Sequence, residues 1–408
     1  MEIRQVFVLG AGFMGNGIAQ VASFAGYPVT MCDVSEERLE AGLQAIRSSL
    51  EKFLAKGKIT EGQAEATLAG IHLTTRMEDA READLVVEAI PEDLELKKHA
   101  FAELDRLCPP HAILASNTSA IPITSLASAT SRPERVVGLH FFGPVPLLRL
   151  VEVIRGLLTS EETMRNAEEW ARSLGKETVL VLKDHAGFVA NRVNIPTNIE
   201  AVRMIEEGFA TPEEIDRATG GYEAGVGPMQ IIDNAGLDVG YRAALAIYED
   251  TRDPRFLPPP LLKRMVEAGL LGRKAGRGFY DYSTGKRVSY FPAVRSGESE
   301  EERNLRMQTV LNHLLIPAIL EAVAVVEAGV ATPEDVDRAS RLGFNLPFGQ
   351  LEMADTMGLD TVLETALTLH RETGNPRFFP PPLLRRMVAA GMLGRKSGRG
   401  FHSYQTEP

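Results

Sequence analysis

Several residue types are scarce in this 408-residue chain, and each scarcity excludes a class of protein. Only two cysteines occur, Cys32 and Cys108, too few for a disulfide framework and without a CxxC metal motif. No uncharged apolar run reaches the roughly 18 residues of a membrane span, and the segment before the first strand is too short for a cleavable signal. We therefore expect a protein of the reducing cytoplasm with no membrane partner.

Basic residues are also in deficit, because 44 Lys and Arg face 55 Asp and Glu, which gives a net charge of −11. A nucleic-acid-binding protein normally carries a basic face, so no nucleic-acid partner is expected. The eight histidines form neither an HxH nor an HExxH pattern, which argues against a metal site. Any anionic ligand must therefore meet a local basic patch.

The carboxyl-terminal half contains a duplication. Residues 251–282 and 373–404 are identical at 23 of 32 positions, and the similarity continues upstream from Ile195 and Ile316. Helical spacing and the segments TPEEID and TPEDVD, typical of N-caps followed by proline, predict two similar all-α domains. The expected boundaries are 185–283 for the first helical domain, 284–311 for a linker and 312–408 for the second.

The first 184 residues have a different pattern, in which short β-rich runs alternate with helical stretches. Seven such runs occur, from IRQVFVLG to ETVLVLK. This alternation predicts an α/β domain built on a doubly wound, mostly parallel sheet.

A glycine-rich turn follows the first predicted strand. Gly10, Gly12 and Gly15 form a GxGxxG pattern before a helical stretch, and Asp33 ends the next strand. In this context the glycines permit a tight turn beside a pyrophosphate, and the aspartate can accept ribose hydroxyls. Because an aspartate repels a 2′-phosphate and the nearest arginine that follows it is Arg38, the sequence favours NAD over NADP.

His140 and Glu152 lie among apolar residues in a segment that reads as strand, proline-rich turn and strand. A buried carboxylate needs a partner, and the turn could bring the two side chains together. A paired His140 would act as a general base in oxidation of an alcohol. A core histidine and a loop-capping glutamate fit the spacing equally well.

Six motifs, in order and together with Asp33, resemble the L-3-hydroxyacyl-CoA dehydrogenase family: GAGFMG, VVEAIPEDLELKK, ASNTSAIPIT, GLHFFGPVPLLRLVEV, GFVANR and GRKAGRGFYDY. The resemblance implies a Rossmann-type domain followed by helical domains, and NAD-dependent oxidation of (S)-3-hydroxyacyl-CoA in fatty-acid or 3-hydroxybutyryl-CoA metabolism. It also implies His140 as general base, Glu152 as its orienting partner, and Ser119 and Asn191 as groups that hold the substrate oxygens.

The same resemblance assigns ligand-binding residues. For NAD it implies Gly10, Gly12, Gly15, Asp33, Glu92, Lys97, Asn117 and Lys274, and for the acyl-CoA substrate Ser49 and Lys56. A lysine on a helix is more often only a solvated residue, and the duplicated Lys396 indicates that the Lys274 motif also has a structural use.

Gly143 replaces the asparagine that the family usually has after HFF, which removes an amide beside the expected dyad. The helical unit of short members pairs with its copy in another subunit, so the second repeat here predicts either a monomer with internally paired helical domains or a homodimer. Two other functions remain open, a dehydrogenase of a free hydroxy acid such as a sugar acid or carnitine, and a catalytically weak structural relative.

Overall fold

The computed structural model describes residues 2–223, 227–292, 297–344 and 346–404. Its contacts divide the chain into two compact units. The first holds the residues up to Phe188 together with 329–331 and 341–346, and the second holds the rest.

The first unit is built on one eight-stranded sheet, as the alternating pattern predicted. Its strand order is β3-β2-β1-β4-β5-β6-β7-β8, and every neighbouring pair is parallel except β6 with β7. Most of these strands are buried and rich in Val, Ile and Leu, as a parallel sheet covered by helices requires. The strands are β1 (Val6–Leu9), β2 (Val29–Cys32), β3 (Ile71–Thr74), β4 (Leu85–Glu88), β5 (Ile113–Ser116), β6 (Val136–Phe141), β7 (Leu150–Ile154) and β8 (Glu177–Val181).

The sequence pattern missed β3, an edge strand whose sequence is only IHLT. Its two middle residues are not buried, so it carries no continuous apolar run. Six helices belong to the same unit, and polar caps at Ser35, Thr60 and Asp93 fix where three of them begin. They are α1 (Phe13–Phe24), α2 (Glu36–Ala55), α3 (Glu61–Ala69), α4 (Leu94–Leu107), α5 (Ile123–Ala127) and α6 (Glu161–Ser173).

The second unit contains the two helical repeats. The expected N-cap is present at Thr211, whose hydroxyl accepts from the Glu214 amide with Pro212 in the first turn. The elements are α7 (Ala190–Glu206), α8 (Pro212–Ala218), α9 (Pro228–Ala235), α10 (Leu237–Thr251), α11 (Pro260–Glu267), β9 (Tyr280–Asp281), β10 (Val288–Ser289), α12 (Glu300–Glu327), α13 (Pro333–Phe344), α14 (Gln350–Met357), α15 (Leu359–Thr373) and α16 (Pro382–Ala389).

The segment expected to be a linker, 284–311, contains regular structure. Its β10 pairs with β9, and α12 begins at Glu300 with a Ser299 capping box. Residues 293–296 of this segment lie outside the described residues. The charge run SEEERN that suggested a solvated linker is therefore in large part the polar first turn of a long helix.

The two repeats pack on each other through α7 and α12. Glu321 of α12 is fully buried and pairs with two arginines of the first repeat, at 2.6 Å from Arg192 Nε and 3.1 Å from Arg255 Nη2. Loss of Glu321 would remove this carboxylate partner from the buried Arg192, whereas Arg255 would keep Asp253, 2.5 Å away.

The same kind of pairing occurs in the opposite direction, between a carboxylate of the first repeat and basic side chains of the second. Glu200 of α7 is fully buried and pairs with two groups of the second repeat, at 3.1 Å from His313 Nδ1 and 2.8 Å from Arg377 Nε. Glu200 corresponds to Glu321, so the repeats contact each other as two copies would across a two-fold axis.

By length and composition, α12 is the one helix among the described residues that could cross a membrane. About 61% of its most apolar window is buried inside the protein, where the helix packs against α7 and carries the paired Glu321. This burial is typical of a core helix.

Candidate active site

The glycine-rich turn between β1 and α1 has a shape that only small residues allow. Gly10 has a φ of +106°, and a Cβ on Gly15 would lie 1.8 Å from the Gly10 carbonyl oxygen. A Cβ on Gly12 would meet nothing within 4 Å, so the turn is open on that side. Gly12 begins α1 without a side-chain cap, and the first turn has no acidic residue. This opening fits the pyrophosphate of a dinucleotide at a helix N-terminus.

Asp33 follows β2 and lies beside the same turn. Its carboxylate accepts from the backbone N–H of Ala11 and of Val34, both at 2.7 Å. The Arg38 guanidinium, which is mostly exposed, is 3.9 Å away. The carboxylate thus holds the glycine turn in place, and its contact with a ribose remains a prediction.

The structure brings His140 and Glu152 together. They are directly opposite each other in the antiparallel pair β6 and β7, and the His140 Nδ1 to Glu152 Oε2 distance is 2.7 Å. The relative exposure of His140 is 4% and that of Glu152 is 0%. The rings of Phe142 and Phe188 lie 4.4 and 5.7 Å from the imidazole, centroid to centroid. An ionised Glu152 that accepts from Nδ1–H leaves Nε2 as the acceptor nitrogen.

The second imidazole nitrogen faces Ser119, which lies in the loop after β5. The Ser119 Oγ to His140 Nε2 distance is 3.1 Å. Asn117 of the same loop accepts from the Phe141 amide at 2.9 Å and so ties the loop to β6. Two of the sequence-predicted residues, Ser119 and Asn117, therefore lie against the strand that carries His140.

Glu92 and Lys97 hold the loop that carries Ser119. One Glu92 oxygen accepts from the Thr118 hydroxyl at 2.5 Å and from the Ser119 amide at 3.0 Å. The other oxygen is 3.3 Å from the Lys97 ammonium. The contacts observed for these two groups position the loop, whereas a contact with NAD remains a prediction.

Glu88, which the sequence analysis missed, completes this network at the carboxyl end of β4. It is fully buried, 2.6 Å from the Lys97 ammonium, and accepts from the Ser116 hydroxyl at 2.6 Å. An acidic residue that ends a buried strand, followed by a lysine nine residues later, was the available signal. Buried opposite charges of this kind are stable only when they are paired.

Gly143, where the resemblance expected asparagine, lies beside the glycine turn. A Cβ at this position would be 2.4 Å from the ring of Phe13 and 3.2 Å from the Met14 sulfur. The Phe13 ring is 66% exposed. The Phe13 ring, from the first turn of α1, therefore occupies the space that a side chain at position 143 would need.

Four predicted residues lie away from the His140 group or in the other unit. Ser49 is half-buried and Lys56 exposed near the end of α2. Asn191 is half-buried in the first turn of α7. Lys274 is 2.5 Å from Asp238, and this ion pair recurs in the second repeat as Lys396 with Asp360. No cluster of metal-ligating side chains occurs in the part of the chain that the structure describes.

Comparison with known proteins gives consistent matches over nearly the whole chain. The family model described as 3-hydroxyacyl-CoA dehydrogenase, NAD binding domain, matches residues 5–185. The model of the C-terminal domain matches at 187–282 and 310–404, the two stretches that contain the repeated sequence.

The similar proteins fall into a shorter and a longer form. A probable 3-hydroxybutyryl-CoA dehydrogenase of Bacillus subtilis is 47% identical over 69% of this chain and 98% of its own length. A 3-hydroxyadipyl-CoA dehydrogenase of Escherichia coli is 32% identical over 95% of this chain and 98% of its own length. The crystal structure of an E. coli 3-hydroxybutyryl-CoA dehydrogenase has a TM-score of 0.86 and 30% identity, covering 96% of this chain and 99% of that one.

Proposed function

The chain belongs to the 3-hydroxyacyl-CoA dehydrogenase family, and on this basis we propose that His140, Glu152 and Ser119 catalyse the NAD-dependent oxidation of (S)-3-hydroxyacyl-CoA to 3-ketoacyl-CoA. The observation that carries the proposal is the buried Glu152–His140–Ser119 hydrogen-bond series. Each member of a general-base group is within reach of the next.

The proposed chemistry at the imidazole follows from these contacts. Glu152 accepts from Nδ1–H and holds the tautomer in which Nε2 is unprotonated. Nε2 takes the proton of the substrate 3-hydroxyl, and the carboxylate stabilises the resulting imidazolium in its buried site. Ser119 holds the substrate oxygen beside Nε2, and Asn191 is proposed to assist it. NAD, when bound, supplies the hydride acceptor.

The cofactor is NAD, and its proposed contacts are those predicted from the sequence. Gly10, Gly12 and Gly15 are proposed to receive the pyrophosphate, with the ribose hydroxyls on Asp33. The other proposed contacts are Glu92, Lys97, Asn117 and Lys274. For Lys274, the duplicated Lys396 offers a matched control, because both lysines make the same ion pair. We expect Lys274→Met to raise the KM for NAD and Lys396→Met to leave it unchanged.

We propose an acyl-CoA of short chain as the substrate, held through its phosphorylated end by Ser49 and Lys56. Ser49 lies in α2 and Lys56 is the residue directly after its end, about two helical turns later, so both lie on the same side of the helix. Relatives named for 3-hydroxybutyryl-CoA and for 3-hydroxyadipyl-CoA support a CoA ester and leave two acyl groups to compare.

We also propose a location in the reducing cytoplasm, because the two cysteines, Cys32 and Cys108, are both free and buried.

We also propose a monomer in which the second repeat fills the place of a partner subunit. The reciprocal pairs at Glu200 and Glu321 support this, because the surface that each repeat would offer to a copy is already buried in the chain. Light scattering should give the mass of one chain. A tight dimer formed through α7 and α12 would contradict the proposal.

The test of the function is NADH production from (S)-3-hydroxybutyryl-CoA, 3-hydroxyadipyl-CoA and free 3-hydroxybutyrate, each with NAD or NADP. We expect activity with a CoA ester and NAD, and a loss of roughly a hundredfold or more in His140→Ala. Activity with the free acid alone would reject the acyl-CoA proposal. A His140→Ala enzyme as active as the wild type would reject the catalytic assignment.

A further inference from the structure

A buried lysine that the proposed mechanism does not use lies next to the strands of the His140–Glu152 pair. Lys176 immediately precedes β8, and its relative exposure is 9%. Its ammonium donates to the backbone carbonyl of Val145 at 2.5 Å and to that of Leu148 at 2.8 Å. Burial lowers the pKa of Lys176 to about 8.

Both carbonyls belong to residues 142–149, which connect β6 to β7 and which we call the dyad turn. Within it, the amides of Leu147 and Leu148 donate to the Pro144 carbonyl at 2.9 and 3.0 Å. Because β6 carries His140 and β7 carries Glu152, this turn sets how the two strands meet at that end of the pair.

The other side of the dyad turn packs against α1. Val145 is buried, and a Cβ on Gly17 would lie only 2.9 Å from the Val145 Cβ. The α1 helix begins at the glycine turn proposed to bind NAD. The dyad turn therefore joins the strands of the His140–Glu152 pair and also contacts the helix of the proposed NAD site. A shift of this turn would move the strands of the pair relative to α1.

We infer that Lys176 is a positioning residue for the dehydrogenase reaction, whose ammonium holds the dyad turn against α1 and thereby fixes the His140–Glu152 pair. This inference rests on the proposed catalytic role of that pair. A buried cation bonded to two neutral carbonyls contributes little net stability, because its desolvation offsets much of the hydrogen bonding. Its removal leaves two carbonyls without their donor, and the turn must move to expose or re-pair them.

The experiment compares Lys176→Met, Lys176→Gln and the control Lys98→Met in the full chain. Lys98 is a half-exposed lysine of α4 whose observed partner is the exposed Glu95, at 3.6 Å. Turnover is measured per NADH-binding site, so that a smaller folded fraction does not count as slower chemistry. The single tryptophan, Trp170, is buried 6.2 Å from Phe141 of β6, centroid to centroid, and its fluorescence reports on folding around that strand.

We expect Lys176→Met to lower kcat per site by about tenfold or more, with wild-type Trp170 emission. Lys176→Gln, which keeps two N–H donors on a shorter chain, should recover part of the loss, and Lys98→Met should match the wild type. If Lys176→Met does not fold, the Gln variant decides alone: a kcat per site below that of the wild type supports the inference, and a wild-type kcat overturns it.

A folded Lys176→Met enzyme with wild-type kcat per site overturns the inference. So does a Gln variant as slow as the Met variant with unchanged tryptophan emission. Failure of the proposed function is seen separately, since the wild type would then be inactive on every CoA ester or His140→Ala would remain active.

Discussion

Substitution of Glu152 by glutamine tests the proposed catalytic group most directly. The change keeps the size of the side chain and removes the charge that lies 2.7 Å from His140 Nδ1. Glu152 is fully buried, so the imidazolium formed during turnover would lose a charged partner that solvent cannot replace. A glutamine that donates to Nδ1 would also hold the opposite tautomer, in which Nε2 carries a proton and cannot accept one.

The expected size of this effect follows from the hydrogen bond. A hydrogen bond to a charged group is worth about 1.5–3 kcal/mol, which corresponds to roughly 10-fold to 150-fold in rate. The wrong tautomer adds to this loss, so we expect kcat to fall by about a hundredfold or more. Removal of a buried charge by an isosteric amide need not destabilise the fold, and the Tm should stay close to that of the wild type.

The assay is initial-rate NADH formation at saturating NAD and acyl-CoA, with NADH binding measured separately. Glu161→Gln is the matched control, because its side chain is exposed and lies outside the proposed site. A loss smaller than about threefold in Glu152→Gln, with NADH binding intact, would refute the reasoning that His140 depends on this carboxylate.

Three further predictions concern cofactor choice, stability and pH. Asp33→Ser should reduce discrimination against NADP by at least about tenfold, because it removes a charge that repels a 2′-phosphate. The measurement is kcat/KM with NAD and with NADP, and an unchanged ratio of the two would contradict the prediction. Glu321→Ala should destabilise the helical unit by about 3–5 kcal/mol, because it removes the carboxylate that pairs with the buried Arg192. Urea unfolding is the test, and a change below about 1 kcal/mol would contradict the prediction. The hydrogen bond with Asp337 raises the pKa of His402 above its ordinary 6.5. The stability that this pair contributes is complete below that value and is lost as pH rises through the folded-state pKa. The control is His402→Tyr, because tyrosine stands at the corresponding position of the first repeat, Tyr280. As pH rises through this pKa, Tm should fall more in the wild type than in the variant. The same pH dependence of Tm in both proteins would argue against the assignment.

Much of the fold could be predicted because its signals are local. Buried parallel strands read as apolar runs, the glycine turn has a fixed spacing, and the repeats are visible as near-identity. The edge strand β3 was missed because its two middle residues are not buried and it carries no continuous apolar run. The start of α12 was placed too late because a helix with a polar first turn resembles a solvated linker.

The site was predictable in its residue types and less so in its geometry. His140 and Glu152 stood out as ionisable groups in apolar strands, but twelve residues of spacing fit a paired or an unpaired arrangement. Only the antiparallel register, which depends on the turn between β6 and β7, places them opposite each other. Lys176 gave no sequence signal, since an isolated lysine before a strand looks like any solvated lysine.

The sequence by itself determined the family motifs, the order of α/β and helical regions, the glycine turn with Asp33, and the internal repeat. These follow from residue type and spacing along the chain, which the backbone periodicities translate directly. Only the tertiary structure decided which charges meet: Glu88 with Lys97, Glu92 with the Ser119 loop, and Glu200 and Glu321 with the opposite repeat. Except for Glu88 and Lys97, these contacts join residues distant in sequence, and a buried charge finds its partner only when packing has excluded water from both.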